Sequence, residues 1–244
     1  MEHWEPLKPD GYRFVYDDAL FRPGTDTFLL SSLPRLKAGL RVCDLGCGTG
    51  LLSLLLMQRQ GGMCVTGIDV QEAAISLAQR CAAENGLVGQ LNFLHGDLRN
   101  VKQHFSTGSF DLVVCNPPYY PPQSGRMAEE SAIRTARSEV NCTLADICQA
   151  AAFLLCWGGS FCLVHKPERL TDVLDALRCW GCEPKRLRMV CTRAESAPSL
   201  ILVEGRRGGK PGLSIEAPLI LQNNDGSPTA ETDAIYFRRQ EDTP

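Results

Sequence analysis

The sequence lacks the features of a membrane or secreted protein. No apolar run in its 244 residues approaches the ~18 residues that a membrane helix needs. Residues 1–10 are polar, so we expect no secretory signal. With 44% hydrophobic residues, 22% charged residues and a net charge of −3, the composition excludes a collagen, a coiled coil and a generally basic nucleic-acid coat. We therefore expect a globular cytoplasmic protein with no membrane partner.

A metal-ligating pattern is also missing, although the chain has 12 cysteines. The CxxC pair of Cys179 and Cys182 has no second CxxC or HxxxH to complete a four-ligand zinc site. Gly181 inside the pair indicates the end of a helix. Several other cysteines stand in apolar runs, where we expect reduced, buried thiols: Cys43, Cys64, Cys115, Cys156 and Cys162. We therefore predict no bound metal.

Short β-branched runs alternate with helical segments between Arg41 and Glu204. The predicted strands are Arg41–Leu45, Cys64–Asp69, Leu91–His95, Phe110–Cys115, Ser160–Val164, Arg186–Cys191 and Leu200–Glu204. The predicted helices are Leu51–Gln60, Gln71–Asn85, Leu144–Leu155 and Glu168–Trp180. This alternation predicts an α/β fold, with a parallel sheet covered by helices on both faces. Because ligands of such sheets bind beyond the carboxyl ends of the strands, the candidate site residues follow each strand.

A glycine-rich loop follows the first predicted strand. Gly46, Gly48 and Gly50 stand at alternate positions directly after Asp44, and glycine lets the backbone turn tightly and approach a ligand closely. The spacing differs from GxGxxG and has no Lys-Ser/Thr pair, so it does not predict a phosphate loop. A carboxylate before the glycines suits a ligand with a positive amino group.

Two further acids end the next predicted strands. Asp69 can accept both hydrogen bonds from ribose hydroxyls, and Asp97 can accept from the exocyclic amine of adenine. Either acid could instead be a helix N-cap. Taken with Asp44, they describe one ligand with amino-acid, ribose and adenine parts, which is S-adenosylmethionine.

The fourth predicted strand leads into Asn116, Pro117, Pro118 and Tyr119. The prolines lack backbone donors and stiffen the loop, so carbonyls and the Asn116 amide oxygen can point into the site as acceptors. Two acceptors can hold a planar NH₂ group with its nitrogen lone pair aimed at an electrophilic methyl group. Tyr119 offers a ring on which a planar substrate can stack. These residues predict methylation of an amine.

Together these motifs resemble the class I S-adenosylmethionine-dependent methyltransferases that methylate amines. The resemblance implies a Rossmann-like fold with a seven-stranded, mostly parallel sheet whose last strand is antiparallel. It implies catalysis by the four residues Asn116–Tyr119, and a target among adenine N6, guanine N2, cytosine N4 and glutamine amides. It adds five residues to the cofactor contacts already given: Thr25, Cys47, Val70, Leu98 and Asn116.

The flanking segments 21–30 and 136–146 are similar to those of bacterial tRNA(Val) adenine-N6 methyltransferases. That resemblance implies a tRNA partner, contacted near its anticodon loop, with no obligate protein partner. It makes Tyr119 and Arg137 candidate substrate contacts. Simpler interpretations remain for both segments, because Thr25 or Asp26 could cap a helix and Arg137 could form an exposed pair with Glu139.

Basic residues are concentrated in one segment of an otherwise acidic chain. Pro184–Lys210 carries seven basic and two acidic residues. Within it, Gly205–Lys210 is typical of a flexible loop, and we expect Arg206, Arg207 and Lys210 to contact RNA phosphates. A solvated hairpin tip would explain the same composition.

We therefore predict adenine N6 methylation in tRNA by one domain of residues 1–244. Residues 1–40 form an N-terminal segment, 41–204 the core sheet, and 205–244 a basic loop and tail. The alternatives are a protein glutamine N5 methyltransferase, an rRNA guanine N2 methyltransferase and a non-catalytic cofactor sensor. Only about forty residues precede Asp44, too few for the helical domain that glutamine-methylating enzymes carry there.

Overall fold

A mixed nine-stranded sheet organises the chain in a computed structural model that describes residues 1–17, 24–117 and 142–238. Its strands are β3 (Arg41–Leu45), β4 (Cys64–Asp69), β5 (Leu91–His95), β6 (Phe110–Cys115), β7 (Leu155–His165), β8 (Cys182–Cys191), β9 (Pro198–Arg207), β10 (Ser214–Ile215) and β11 (Leu219–Ile220). The spatial order is β10-β8-β9-β7-β6-β3-β4-β5, and β11 also pairs with β8. Only β9 runs antiparallel to its neighbours in this sheet, β7 and β8.

Helices cover both faces of this sheet. They are α1 (Thr25–Ser31), α2 (Leu51–Arg59), α3 (Glu72–Glu84), α4 (Leu144–Leu154), α5 (Leu170–Cys179) and α6 (Ala230–Ile235). Residues of α1, α2, α3 and α6 share one hydrophobic core, and residues of α4 and α5 share another with the opposite face. Successive residues of a strand point to opposite faces, so Val42 enters the first core and Cys43 the second.

A two-stranded hairpin precedes the sheet and was not predicted. It pairs β1 (Glu2–Pro6) with β2 (Arg13–Asp17), and Phe14 and Val15 are buried in the first core. The turn between the strands contains Pro9, Asp10 and Gly11, with Asp10 at φ 55°. Pro-Asp-Gly is a recognised turn signal, so the turn of this hairpin could have been predicted from the sequence.

The predicted elements agree closely with the observed ones in the first half of the chain. The first four sheet strands begin and end where predicted, and the predicted helices differ by one or two residues at their ends. Gly86 and Gly181 follow α3 and α5 with φ of 65° and 73°, as expected of residues that end helices. The last three predicted strands are longer than expected. The pairing of β8 with β9 extends from Cys182 to Cys191, and β7 begins at Leu155, which pairs with Phe110 of β6.

Two predictions for the C-terminal part are wrong. Gly205–Arg207 is not a loop but the end of β9, where Gly205 and Arg206 pair with Phe161 and Ser160 of β7. The sheet does not end near Glu204 either, since β10 and β11 extend it along the free edge of β8. The nine strands are thus the seven implied by the resemblance plus these two short ones.

Among the described residues, no helix is long and apolar enough to cross a membrane. Nor does that part of the chain bring together three or more His, Cys, Asp or Glu side chains able to hold a metal ion. All 12 cysteines are free thiols. Cys43, Cys115 and Cys162 are buried as predicted, whereas Cys64 is exposed because it starts its strand.

Candidate active site

The carboxyl ends of β3, β4, β5 and β6 meet at one edge of the sheet. In the parallel register, Leu45 of β3 lies beside Ile68 of β4 on one side and Cys115 of β6 on the other, and Asp69 pairs with His95 of β5. The residues that follow these strands are therefore neighbours in space. The structure brings together Asp44, the glycine loop, Asp69, Asp97 and Asn116, as the sequence predicted.

The glycine loop lies over the end of β4 and is held there by backbone hydrogen bonds. The Gly46 N–H donates to the Ile68 carbonyl at 2.9 Å, and the Gly48 N–H donates to Asp69 Oδ2 at 2.8 Å. Gly46 and Gly48 have φ of 70° and 52°, in the left-handed region that favours glycine. A Cβ atom built on either would have no described atom within 4 Å, so the loop borders open space.

Gly50 is required for a different reason. It has φ of 83° at the start of α2, and a Cβ there would lie 2.7 Å from the Phe93 ring. Cys47 is buried beneath the loop, where its sulfur packs against Gly67. The alternate glycines thus divide into two that leave a ligand space and one that lets the loop pack on the sheet.

Asp44 lies beneath the loop and is almost wholly buried, with 1% of its surface exposed. The Ser53 hydroxyl of α2 donates to Asp44 Oδ2 at 2.8 Å. Burial raises the pKa of Asp44 to about 7, while the hydrogen bonds from Ser53 act in the opposite direction. A cationic group beside this carboxyl would favour its ionised form.

Asp69 links the loop to the start of α3. Its Oδ2 accepts from Gly48 N–H and its Oδ1 accepts from Gln71 N–H at 2.9 Å. Burial raises the pKa of Asp69, although these backbone bonds lower it. Each carboxylate oxygen has a second lone pair, so the group retains acceptor capacity for hydroxyl donors. Val70, which follows Asp69, is 56% exposed at the same edge.

Asp97 is the N-cap of a 3₁₀ helix at Leu98–Gln103, the alternative that the sequence left open. Its Oδ1 accepts from the Arg99 N–H at 2.9 Å, and the Arg99 guanidinium donates to both carboxylate oxygens. The bonds from Arg99 lower the pKa of Asp97. An adenine amine would therefore share this carboxylate with Arg99. Arg99 was not predicted as a partner of Asp97, although it is only two residues away in the chain.

Asn116 follows β6, next to the glycine loop. Its Nδ2 donates to the hydroxyl Oγ1 of Thr27 on α1, at 3.0 Å. Thr27 is 5% exposed, and Pro117 is also buried. Thr25 and Asp26 of this segment were predicted as a cofactor contact and a possible helix cap, but no role was predicted for Thr27. The signal that could have identified it is a second hydroxyl two residues after a predicted cofactor contact.

Several predicted site residues lie elsewhere. Pro118, Tyr119 and Arg137 are outside the described residues. Thr25 is the first residue of α1, but neither it nor Asp26 caps the helix, because Gly24 is the N-cap and no side chain caps it. The Thr25 hydroxyl donates instead to the carboxylate of Asp26.

The structure does not place the predicted phosphate contacts at this edge. Arg206 pairs with Ser160, whose partner on β6 is Leu112, four residues before Asn116. At about 3.3 Å per residue, Arg206 is therefore displaced about 13 Å along the strands from Asn116. Arg207 continues β9 in the same direction, and its guanidinium donates to the Trp180 carbonyl. Lys210 follows three residues later.

Comparison with known proteins identifies the family. The family model described as methyltransferase domain matches residues 36–181, which is more than half of the chain. The chain belongs to the methyltransferase domain family.

Individual relatives agree with this assignment. The methyltransferase is 28% identical over 238 residues to a tRNA1(Val) (adenine(37)-N6)-methyltransferase of Dickeya chrysanthemi, with 92% of each chain covered. It is 35% identical over 136 residues to the protein of that name from Vibrio vulnificus, covering 54% of this chain and 55% of the relative. Among solved structures, a predicted O-methyltransferase from Agrobacterium tumefaciens has a TM-score of 0.71 at 20% identity, covering 87% of this chain and 96% of its own.

The residues of the methyltransferase fit S-adenosylmethionine, the cofactor of this class. The open space beside Gly46 and Gly48 admits a ligand against the backbone, and a Cβ at either position would project into it. Asp69 presents acceptors suited to ribose hydroxyls, and the buried carboxyl of Asp44 suits a cationic amino group. The class I fold is also as predicted, with β9 as the antiparallel strand.

Proposed function

We propose that this methyltransferase methylates the N6 amine of adenine in tRNA. The observation that carries the proposal is the Asn116 amide, fixed by Thr27 beside the glycine loop. Relatives named for adenine 37 of tRNA1(Val) support the same substrate. We also propose that the enzyme binds the anticodon loop of the tRNA.

The cofactor would be held along the carboxyl edge of the sheet. We assign its amino-acid end to Asp44 and the backbone of Gly46–Gly48, and its ribose to Asp69. The adenine end would lie by Asp97, with Val70 and Leu98 beside it. When bound, S-adenosylmethionine supplies an electrophilic methyl group, which the amine nitrogen takes with its lone pair while the carbon–sulfur electron pair goes to sulfur.

Asn116 would bind and orient the target amine. Its Oδ1 accepts one amine hydrogen, which turns the nitrogen lone pair toward the methyl group. A carbonyl of the Pro117–Pro118 segment would accept the second hydrogen, and Tyr119 would stack on the base. Catalysis is then positioning, which is worth many orders of magnitude when reacting atoms are aligned. The proton released from nitrogen after transfer goes to water.

The target base must leave its stack to reach Asn116, as in other enzymes that modify bases. An unpaired loop makes this less costly than a duplex, which favours the anticodon loop as substrate. A tRNA substrate also supports the cytoplasm as the place of action. The hairpin β1–β2 and helix α6 both enter the first core, which supports treating residues 1–244 as one domain.

Methyl transfer from labelled cofactor to purified tRNA, rRNA and release-factor protein tests the proposal. We expect label in tRNA and, after digestion to nucleosides, N6-methyladenosine. The Asn116→Ala variant should bind cofactor normally and turn over about 100-fold more slowly. Label in glutamine or in N2-methylguanosine would instead support one of the two alternative substrates, and no transfer to any fraction would support a cofactor sensor.

A further inference from the structure

We propose that Thr27 is the positioning residue that holds the Asn116 amide in the orientation in which its oxygen is directed away from α1 and can accept from the substrate amine. The inference rests on the proposed function and goes beyond it, because it assigns a role to a residue outside the loop that follows β6. The contact that carries it is the hydrogen bond from Asn116 Nδ2 to Thr27 Oγ1, at 3.0 Å and partly buried.

The two ends of a carboxamide have opposite hydrogen-bonding character. The nitrogen only donates, and the oxygen only accepts. A substrate amine that must donate its hydrogens therefore needs the oxygen, and an amide rotated by 180° would present donors to a donor. In the structure Nδ2 donates to Thr27 Oγ1, so the nitrogen lies on the α1 side and Oδ1 is directed away from α1; the hydroxyl anchors the amide in this orientation.

Thr27 can exert this control because α1 is held in place from its other sides. The Ser31 hydroxyl, 1% exposed, donates to the Phe28 carbonyl at 2.6 Å and accepts from Arg59 Nε of α2 at 2.9 Å. The Phe28 ring stacks on Tyr236 at 4.8 Å between centroids, and the Tyr236 hydroxyl reaches the Thr25 carbonyl. The acceptor that meets Asn116 is therefore fixed to the body of the protein.

Two substitutions separate the hydroxyl from the shape of the side chain. Thr27→Val replaces the hydroxyl with a methyl group, whereas Thr27→Ser keeps it. We expect Thr27→Val to lower kcat by about 10- to 100-fold, the scale of a misplaced reacting group, while the Kd for S-adenosylmethionine changes less than twofold. Thr27→Ser should restore most of the lost kcat.

Ser160→Ala is a suitable control. It removes a partly buried hydroxyl of β7 that donates to Glu204, away from α1 and Asn116, so it should lower the melting temperature without lowering kcat. In the Asn116→Ala background, Thr27→Val should cost less than threefold, because a residue that acts through Asn116 has no effect once the amide is gone. Equal costs in both backgrounds would overturn the inference.

A readout independent of substrate separates failure of the inference from failure of the proposed function. In ¹⁵N NMR, the Asn116 side-chain NH₂, assigned by its loss in Asn116→Ala, should show a large shift change in Thr27→Val and a small one in Thr27→Ser. An unchanged signal in Thr27→Val would overturn the inference whatever the substrate is. The expected NMR change in a protein that does not methylate tRNA would uphold the contact and reject the proposed function.

Discussion

Burial makes Asp44 a group that titrates near neutral pH. Its pKa is raised from 3.8 to about 7 by desolvation, with the charge of Asp69 acting in the same direction. Because the folded pKa lies above the unfolded one, the stability this group contributes is complete below about pH 4 and is lost as the pH rises through 7. The loss is at most about 4 kcal/mol, since one pKa unit corresponds to about 1.4 kcal/mol.

Asp44→Asn should therefore gain stability relative to wild type as the pH rises from 5 to 8. The amide keeps an acceptor for the Ser53 hydroxyl but carries no charge. Urea unfolding of both proteins without cofactor, at several pH values, measures the difference. Burial lowers the pKa of His165 to about 4, so its contribution to stability is lost in the opposite direction, as the pH falls below about 6.5. This loss is the same in both proteins. Parallel curves would mean that Asp44 has an ordinary pKa.

Asp69→Ala should weaken S-adenosylmethionine binding by about 2–3 kcal/mol. The change removes the acceptors proposed for ribose and also the group that holds Gly48 and Gln71. Calorimetric titration gives the affinity. Asp111→Ala is a suitable control, because Asp111 also accepts hydrogen bonds, from the backbone and guanidinium of Arg41 and from the Cys156 thiol, but at the opposite edge of the sheet. Equal affinities for wild type and Asp69→Ala would remove Asp69 from the cofactor site.

At the scale of elements, different glycines of the loop serve cofactor binding and the stability of the fold. Gly46→Ala should cost about 1–2 kcal/mol for a left-handed residue and should also weaken cofactor binding, because its Cβ enters open space. Gly50→Ala should destabilise by roughly a further 1–3 kcal/mol through its contact with Phe93. Thermal unfolding and cofactor titration of both variants provide the comparison. A larger loss of stability in Gly46→Ala would contradict this division.

The elements also show what local sequence could and could not predict. The apolar runs of β3 to β6 predicted these strands, and the glycines and acids that follow them predicted the site at their ends. Both patterns are formed by residues that are close together in the chain. The role of Thr27 could not be predicted in this way, because its partner Asn116 is 89 residues away in the chain. Asp97 shows the reverse: the sequence indicated either a ligand or a helix N-cap, and the structure adds a local partner, because the Arg99 guanidinium also engages this carboxylate.

At the scale of the whole molecule, pairing within the fold reduces the basic character of Pro184–Lys210. Arg186 is paired with Glu204 and Glu216, and Arg188 donates to both oxygens of Glu231. Glu216 and Glu231 lie beyond the segment, so a count of charges along the chain could not include them. The segment therefore has a weaker field than its composition indicated.

Other basic residues of this segment lie at opposite edges of the sheet. Arg193 is exposed in the loop after β8, at the carboxyl edge of the sheet, whereas Arg206, Arg207 and Lys210 lie toward the other edge. We expect Arg193→Ala to raise the KM for tRNA by about 3- to 10-fold and to reduce its salt dependence. The triple alanine variant of the other three should change the KM less. A larger effect of the triple variant would place RNA on both edges.

Because Tyr236 stacks on Phe28, the parts of the site are completed in a fixed order during synthesis of the chain. The ribosome must add 211 residues after Thr25 before the tyrosine that contacts it exists. Until then α1, which carries Thr27, lacks the aromatic partner that packs against it, although the strands that bind cofactor are already synthesised. A nascent chain halted before residue 230 would thus contain the strands that carry the cofactor residues but lack the tyrosine that packs against α1 and its Thr27.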